Sequence, residues 1–156
     1  MPRLRALALT WLLVSACGTT RLIPNTRVPD TSENREVIDV CERYRHALEA
    51  RDSVTLLALA SPKYWEDGGT PKPDDDYGYD GLRHVLADRL ARLKSVRYEM
   101  EYRTVRIRGN RAEVDVYIDA SFQLTTGSGD QYRHFTEYNR LELEYDGKRW
   151  LFTRGM

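Results

Sequence analysis

The chain of 156 residues contains two cysteines, Cys17 and Cys41, and a cysteine thiolate can accept an acyl group or attack a disulfide. Cys17 follows a basic start with Arg3 and Arg5, an apolar run over residues 6–14 and two small residues. This order is typical of a secretory signal peptide. The apolar run falls well short of the roughly 20 residues that a membrane-spanning helix needs. The sequence therefore predicts a secretion signal that ends just before Cys17.

The segment Val14-Ser15-Ala16-Cys17 resembles the lipobox of bacterial lipoproteins, in which an aliphatic residue and two small residues precede an invariant cysteine. The resemblance implies a diacylglyceryl group on the Cys17 sulfur, cleavage between Ala16 and Cys17, and a third fatty acyl chain such as palmitate on the new amino group. Two or more acyl chains anchor a protein stably to a membrane. We therefore expect residues 1–16 to be a lipoprotein signal peptide, with an ordinary signal peptide cut after Ala16 as the alternative.

This lipid anchor would place the protein in the bacterial cell envelope, where it faces the periplasm. Gly18 stands where an aspartate often marks retention in the inner membrane, so the outer membrane is favoured. We expect residues 17–30 to form a tether, because they include Pro24 and Pro29 and show no apolar periodicity. Residues 31–156 would then form the folded domain.

The size and charge of the mature chain indicate one domain and exclude nucleic acid as a partner. Removal of residues 1–16 leaves 140 residues, a usual length for one domain with its own core. The mature chain keeps 22 basic and 24 acidic residues, a balance that gives no charge pattern for nucleic acid. Since lipid would occupy Cys17, Cys41 has no disulfide partner, and its place on an apolar helix stripe predicts a buried side chain.

Acidic and histidine residues raise the question of a metal site. The run Asp74-Asp75-Asp76 with Asp80 offers carboxylates of the kind that bind Ca²⁺, but the glycine and closing glutamate of an EF-hand loop are missing. His46, His84 and His134 lie on different predicted elements without the spacing of metal ligands. We therefore expect a solvated loop, surface histidines, and neither a metal nor another cofactor.

The apolar pattern predicts three helices followed by four strands. Helices are predicted over about residues 31–50, from a cap at Asp52 or Ser53 to before Pro62, and from a cap at Asp80 to about residue 94. An exposed loop is predicted over residues 63–79. From Val96 the apolar period changes to two, which is typical of strands, and the parity changes near Arg103, which predicts a bulge. Turns at residues 109–110, 127–130 and 146–147 then give a four-stranded antiparallel meander.

This order of elements resembles the cone-shaped fold of nuclear transport factor 2-like proteins, a superfamily that includes ketosteroid isomerase and polyketide cyclases. The local resemblance lies in residues 42–52, which look like the first helix with its closing aspartate, and in the short segments 65–67, 81–82 and 146–148. The resemblance implies an α+β fold in which three N-terminal helices pack inside a strongly curved antiparallel sheet. This scaffold hosts enzymes, binding modules and dimerisation domains, so the fold alone does not assign an activity.

In such a fold the helices and the concave sheet face would line a cone whose mouth holds any ligand. By register, eight residues are candidates to line this pocket: Tyr44, Tyr64, Trp65, Tyr98, Tyr102, Phe122, Phe135 and Leu141. The alternative is that these side chains simply fill the core, since a half-buried tyrosine suits a packed sheet as well as a ligand wall.

Ketosteroid isomerase offers the sharpest enzymatic analogy. Its helix tyrosine and its base find counterparts in Tyr44 and Asp67, and its second oxyanion donor falls near Asn139. A carboxylate base and two hydrogen-bond donors could move a proton at a carbon next to a carbonyl group. An asparagine can donate a hydrogen bond but cannot be the protonated acid found there. The alternative is that Tyr44 packs in the core and Asp67 caps a turn.

We therefore expect a membrane-anchored periplasmic lipoprotein whose domain binds or self-associates without catalysis. The alternative is a small-molecule isomerase or cyclase that uses Tyr44 and Asp67 in the cone. The expected partners are the membrane, through lipidated Cys17, a second copy of the chain or an envelope protein, and a small apolar ligand. A homodimer is predicted because one strand face is unusually aromatic for a solvent face; its residues are Tyr117, Tyr132, His134 and Tyr138.

Overall fold

The computed structural model describes residues 20–68, 75–127 and 129–156. The helices are α1 (Ser32–Ala50), α2 (Ser53–Leu59) and α3 (Tyr79–Arg92), and the strands are β1 (Trp65–Glu66), β2 (Tyr77–Gly78), β3 (Leu93–Arg108), β4 (Arg111–Thr126), β5 (Gly129–Tyr145) and β6 (Trp150–Arg154). The predicted signal peptide, Cys17 and Asp74 lie outside the described residues.

Helix α1 has the bounds that its sequence predicts. Thr31 is the N-cap, and its hydroxyl accepts a hydrogen bond from the backbone N–H of Asn34 at 3.2 Å. Arg51 ends the helix in the left-handed region with φ 56°, and its N–H bonds to the carbonyls of Ala47 and Leu48. The apolar stripe of α1 faces the core. Cys41 belongs to this stripe and has no exposed surface.

Helix α2 has a side-chain cap at its N-terminus, whereas helix α3 does not. Asp52 caps α2 as expected, with its carboxylate accepting from the Thr55 N–H at 3.0 Å. Helix α3 begins at Tyr79, with its N-cap at Gly78 rather than at the predicted Asp80, two residues earlier, and Gly78 makes no side-chain cap bond. Asp80 therefore lies in the first turn, where its charge interacts favourably with the helix dipole.

The four long strands form one antiparallel sheet in the order β3-β4-β5-β6, as the predicted meander requires. The register shifts between Tyr102 and Thr104, so the bulge predicted near Arg103 is confirmed. Strand β3 begins at Leu93, immediately after α3, rather than at Val96. A separate two-stranded sheet joins β1 to β2, which sequence reasoning treated as loop.

The curled sheet packs all three helices on its concave face. The core is centred on β4, whose residues Val114, Val116, Ile118 and Ala120 have no exposed surface. These residues alternate with polar residues on the convex face, as period-two patterning requires. Among the described helices, none carries an apolar stretch of the length that a membrane crossing requires.

Residues 20–30, which the sequence predicts as tether, belong to the folded domain. Val28 has no exposed surface, and Ile23 joins it in the core. Leu22 and Pro29 form an antiparallel bridge, and the Arg27 N–H bonds to the Tyr102 carbonyl of the edge strand β3 at 3.0 Å. The apolar pattern of the sequence does not predict this packing, because two isolated apolar residues, Ile23 and Val28, form no periodic repeat.

The segment 20–30 also protects an exposed sheet edge, together with side chains of α1. The Glu49 carboxylate accepts from the Tyr98 N–H at 2.9 Å, and the Arg51 guanidinium donates to the Leu93 carbonyl at 2.7 Å. Edge strands left open invite pairing with other chains, and these contacts occupy backbone groups of β3. Every described element and core residue lies between residues 20 and 156, so a chain that begins at residue 18 keeps them all.

Candidate functional site

Tyr44, the candidate oxyanion donor, lies inside the packed core. Its side chain is 4% exposed, and its ring meets Tyr98 edge-on at 6.1 Å and Phe152 at 5.3 Å between centroids. Burial raises the pKa of Tyr44 well above its ordinary value, and neighbouring Tyr98 adds to that effect. The hydroxyl is therefore neutral, but surrounding side chains enclose it.

Asp67 and Asn139, the other two candidates, are held by different partners. Asp67 lies after β1 with its side chain half exposed and forms an ion pair with Arg154 of β6 at 3.0 Å. The Asn139 side chain donates to the Gly155 carbonyl at 3.2 Å and accepts from the Arg140 N–H at 2.8 Å. Each of the three proposed isomerase residues is thus engaged in a structural contact of its own.

The other tyrosines predicted to line the cone also take part in internal contacts. The Tyr64 hydroxyl donates to Glu66 at 2.8 Å, and burial raises its pKa. Tyr98 packs on Tyr44, and burial raises its pKa to about 12. Tyr102 donates to Glu42 of α1 at 2.7 Å. Together with Leu141, which has no exposed surface, these side chains fill the interior of the cone.

Trp65 and the Phe122–Phe135 pair lie outside that filled interior. The Trp65 side chain is 54% exposed on the short strand β1. Phe122 of β4 and Phe135 of β5 stack with ring centroids 5.7 Å apart and an angle of 18° between their planes. Register places both rings on the concave sheet face, and they line a cleft with residues from the last turn of α3. The structure therefore separates the eight predicted pocket residues into an enclosed group, a surface tryptophan and one aromatic pair.

A cleft of about 380 Å³ opens between α3 and the end of the β4–β5 hairpin. The stacked phenylalanines form its floor together with Leu93 and Leu124. This volume lies within the usual range for small-molecule sites, which are mostly apolar with a few polar groups. The cleft is the candidate binding site in the described part of the chain.

The polar groups of the cleft are mostly guanidinium groups, and sequence reasoning did not select them. Arg89 and Arg92 reach it from α3, and Arg133 reaches it from β5. Asp88 is the acidic residue at its rim and forms an ion pair with Arg92. The register signal was present in the sequence, because Arg133 and Phe135 are two residues apart on one strand face. The predicted end of α3 near residue 94 did not show that Arg89 and Arg92 would line a cleft with Arg133.

The convex sheet face carries the aromatic residues from which self-association was predicted. Tyr117 and Tyr138 are cross-strand partners with ring centroids 5.0 Å apart, and Tyr132 and Tyr138 are mostly exposed. His134 lies 3.0 Å from the Asp119 carboxylate on the same face. No described helix packs on this side of the sheet.

Charged residues on the convex face are closely paired. Asp115 of β4 accepts hydrogen bonds from Thr104 and Arg140, both at 2.8 Å, and Arg106 lies 2.9 Å from the same carboxylate. Partial burial by itself would raise the pKa of Asp115, but these three donors lower it to about 2. The convex face thus presents tyrosine rings beside a group of paired acidic and basic side chains.

The residues considered for a metal site are not brought together. Asp76 accepts from the Gly68 N–H, His46 lies 3.8 Å from Glu42, and Asp80 lies 3.8 Å from Arg83. Across the three described ranges of the chain, no group of three histidine, cysteine or acidic residues has metal-binding geometry.

Comparison with known proteins gives structural neighbours but no sequence relatives. No family model matches the chain, and no curated protein matches it. A candidate aromatic ring hydroxylase from Novosphingobium aromaticivorans has 18% identity and a TM-score of 0.68, covering 81% of this chain and 88% of its own. A candidate dehydratase of the nuclear transport factor 2-like family from Streptomyces avermitilis has 13% identity and a TM-score of 0.66, covering 80% and 94%.

A third neighbour has a different assignment on the same architecture. A candidate calcium/calmodulin-dependent protein kinase II association domain from Xanthomonas campestris has 17% identity and a TM-score of 0.63, covering 88% of this chain and 94% of its own. Together these neighbours and the element order establish the predicted α+β fold, with three helices in a curled four-stranded antiparallel sheet of the nuclear transport factor 2-like type. At these sequence identities, structural similarity establishes the fold only. An activity has to be argued from the residues of the site.

Proposed function

We propose that this protein is a lipid-anchored component of the bacterial cell envelope whose domain binds a ligand or partner without catalysis. One observation carries the non-catalytic part: Tyr44 is enclosed in the core, whereas Asp67 is engaged with Arg154 at the surface. A proton transfer of the isomerase type needs its base and its oxyanion donor to reach one bound substrate. These two residues do not offer a shared space.

The anchoring part of the proposal is supported by the leader sequence, in which Val14-Ser15-Ala16-Cys17 matches the lipobox pattern. The test is expression of the full chain in a bacterial host, with mass spectrometry of the mature N-terminal peptide and fractionation of the envelope. We expect a diacylglyceryl group on Cys17 and the protein in the outer-membrane fraction. Cys17→Ser should abolish both the modification and the membrane attachment. An unmodified Cys17 sulfur in the mature wild-type protein would overturn the anchor.

Self-association through the convex face is the second part of the proposal. Two copies related by a two-fold axis could match the exposed tyrosines and the mixed charges of this face, since an isologous contact joins the same patch on both chains. Light scattering on residues 18–156 should give twice the chain mass, and Tyr138→Lys should lower it. Val54→Lys, at an exposed position on α2, is the matched control and should leave the dimer intact. A monomeric wild-type mass would overturn this part.

An enzyme of the isomerase or cyclase type is the alternative function, favoured by structural neighbours assigned as a candidate dehydratase and a candidate ring hydroxylase. It requires Asp67 to act as a base. Purified protein would be incubated with a β,γ-unsaturated ketone, and the rise in absorbance of the conjugated product would be followed. Turnover that Asp67→Asn and Tyr44→Phe both abolish would establish the enzyme and refute the non-catalytic proposal. We expect no turnover above the uncatalysed rate.

A further inference from the structure

We propose that the cleft between α3 and the β4–β5 hairpin binds an aromatic anion, a flat apolar ring system that carries one carboxylate or sulfonate. This inference deepens the proposed binding function and rests on it, because it names the chemical class of the ligand. It is carried by three features of the cleft: an aromatic floor, an excess of positive charge and a suitable size.

The floor of the cleft favours an aromatic ligand. Phe122 and Phe135 stack with their ring planes 18° apart, and the ring surface that this stacking leaves open lines one side of the cleft. Leu93 and Leu124 extend this surface. Phe135 is 39% exposed although it points to the concave side of the sheet. Covering such a surface with a ring removes apolar area from water on both partners and adds stacking contacts.

The rim of the cleft selects for negative charge. Of its three guanidinium groups, only Arg92 is balanced by the rim carboxylate, Asp88. Within the described ranges, Arg89 and Arg133 form no ion pair with an acidic side chain. A guanidinium group can donate two parallel hydrogen bonds to a carboxylate or sulfonate. Because Arg133 is the cross-strand partner of Phe122, a charge bound there would lie directly beside the aromatic floor.

The size of the cleft fits a small ligand rather than a segment of protein. A volume of about 380 Å³ is near the lower end of the range for drug-sized ligands. A fused two-ring or three-ring acid would fill it, whereas an extended peptide would leave most of its backbone outside without hydrogen-bond partners. The interior of the cone, where Tyr44 and Tyr98 pack on each other, is not needed for this site.

The test uses residues 18–156 and two fluorescent probes that differ in one group. The probe 1-anilinonaphthalene-8-sulfonate carries the anion, and N-phenyl-1-naphthylamine is its neutral counterpart. We expect the sulfonate to bind at least fivefold more tightly than the amine, and we expect added salt to weaken the sulfonate alone. Equal affinities, or no binding of the sulfonate, would overturn the inference.

Variants then place the probes in the cleft. Arg133→Gln, at an exposed position that leaves the core intact, should weaken sulfonate binding about fivefold and change amine binding less than twofold. Phe135→Ala should weaken both probes. Arg108→Gln, an exposed arginine at the far end of β3, is the matched control and should change neither. Unchanged sulfonate binding in Arg133→Gln or in Phe135→Ala would overturn the site.

Competition separates two sources of an apolar anion. We expect 2-naphthoate to displace the sulfonate probe at lower concentration than decanoate, because the two phenylalanine rings offer stacking and edge contacts that an alkyl chain does not use. The reverse order would overturn the aromatic assignment. If the probes fail to bind while Cys17 carries lipid, only this inference falls. If the cleft binds but Cys17 is unmodified, the anchor falls and the site remains.

Discussion

The hydroxyl of Tyr102 on β3 donates a 2.7 Å hydrogen bond to the carboxylate of Glu42 on α1. The Tyr102 ring is buried, and the bond joins the helix layer to the strand at the residue before its bulge. Burial by itself would raise the pKa of Glu42, but hydrogen bonds from Arg45 and Tyr102 lower it below its ordinary value. The pair therefore links an ionised helix residue to the bent edge of the sheet.

Tyr102→Phe should remove this bond and keep the ring packing. A hydrogen bond to a charged group contributes about 1.5–3 kcal/mol, and Glu42 retains Arg45, so we expect a loss of about 1–2 kcal/mol in the free energy of unfolding. Urea denaturation measures it. Tyr132→Phe, at a mostly exposed position, is the matched control and should change stability by less than about 0.5 kcal/mol. Equal effects of the two changes would contradict the role of the bond.

Asp115 should make stability fall at low pH. Because folding lowers the pKa of Asp115 to about 2, its contribution is complete above the unfolded pKa near 4 and is lost as the pH falls towards 2. We expect a loss on the order of 1–2 kcal/mol from this group, which is partly exposed and screened by salt. Denaturant unfolding of wild type and Asp115→Asn should converge between about pH 4 and pH 2.

The control for Asp115 is Asp80→Asn, whose carboxylate is 91% exposed in the first turn of α3. Because an exposed charge near a helix N-terminus contributes little, this variant should keep most of the wild-type fall in stability over the same pH range. A wild-type curve as flat as that of Asp115→Asn would refute the contribution of the Arg106 and Arg140 contacts.

Val28→Ala should destabilise the domain although Val28 lies in a segment that reads as a linker. Removing two buried carbons from a packed site should cost about 1–3 kcal/mol. Val54→Ala is the same change at a largely exposed helix position and should be close to neutral. Calorimetry compares the two melting temperatures. Equal melting temperatures would show that residues 20–30 do not pack on the domain in solution.

Gly155→Ala should be costly because this glycine has a left-handed conformation and a close neighbour. Its φ is 86°, and an added Cβ would lie 2.3 Å from the Arg140 carbonyl oxygen. Its N–H also donates to Glu66 at 2.9 Å. We expect a loss of more than about 2 kcal/mol, against about 1 kcal/mol for Gly147→Ala, where φ is 96° and nothing lies nearby. Chemical denaturation that ranks the two variants equally would contradict the close contact.

Cys41 should be unreactive in the folded domain. Burial raises the pKa of its thiol far above the ordinary value, with Glu42 adding to the effect, so the thiolate is suppressed. In residues 18–156 it is the one cysteine, and a disulfide reagent such as Ellman's should release less than a tenth of its colour before unfolding. Full colour should follow denaturant. Rapid labelling of the native protein would contradict the burial of the Cys41 side chain.

Much of the fold could be predicted because its signals are periodic. The stripe of α1, the alternation of β4 and the parity change at Arg103 each repeat over several residues, and all three correspond to observed structure. Segment 20–30 and strand β1 gave no repeat, since a single apolar residue such as Val28 can be buried by tertiary contacts alone.

The candidate site was less predictable than the fold. Periodicity places Phe122 and Phe135 on the concave face but does not show whether a helix covers them. The cleft lies between the last turn of α3 and this aromatic pair, and the tertiary packing that brings the two together leaves no local signal in the sequence.

The packing of Val28 has a consequence for how far the domain could travel. If Cys17 holds the lipid, the lipid is attached three positions before Thr20, the first described residue, and a span of four residues measures at most about 14 Å. This maximum distance is comparable to the radius of gyration of about 14 Å that is expected for a domain of this size. The domain would then diffuse only in the plane of one leaflet. A ligand or partner would have to reach the surface of that leaflet in order to bind.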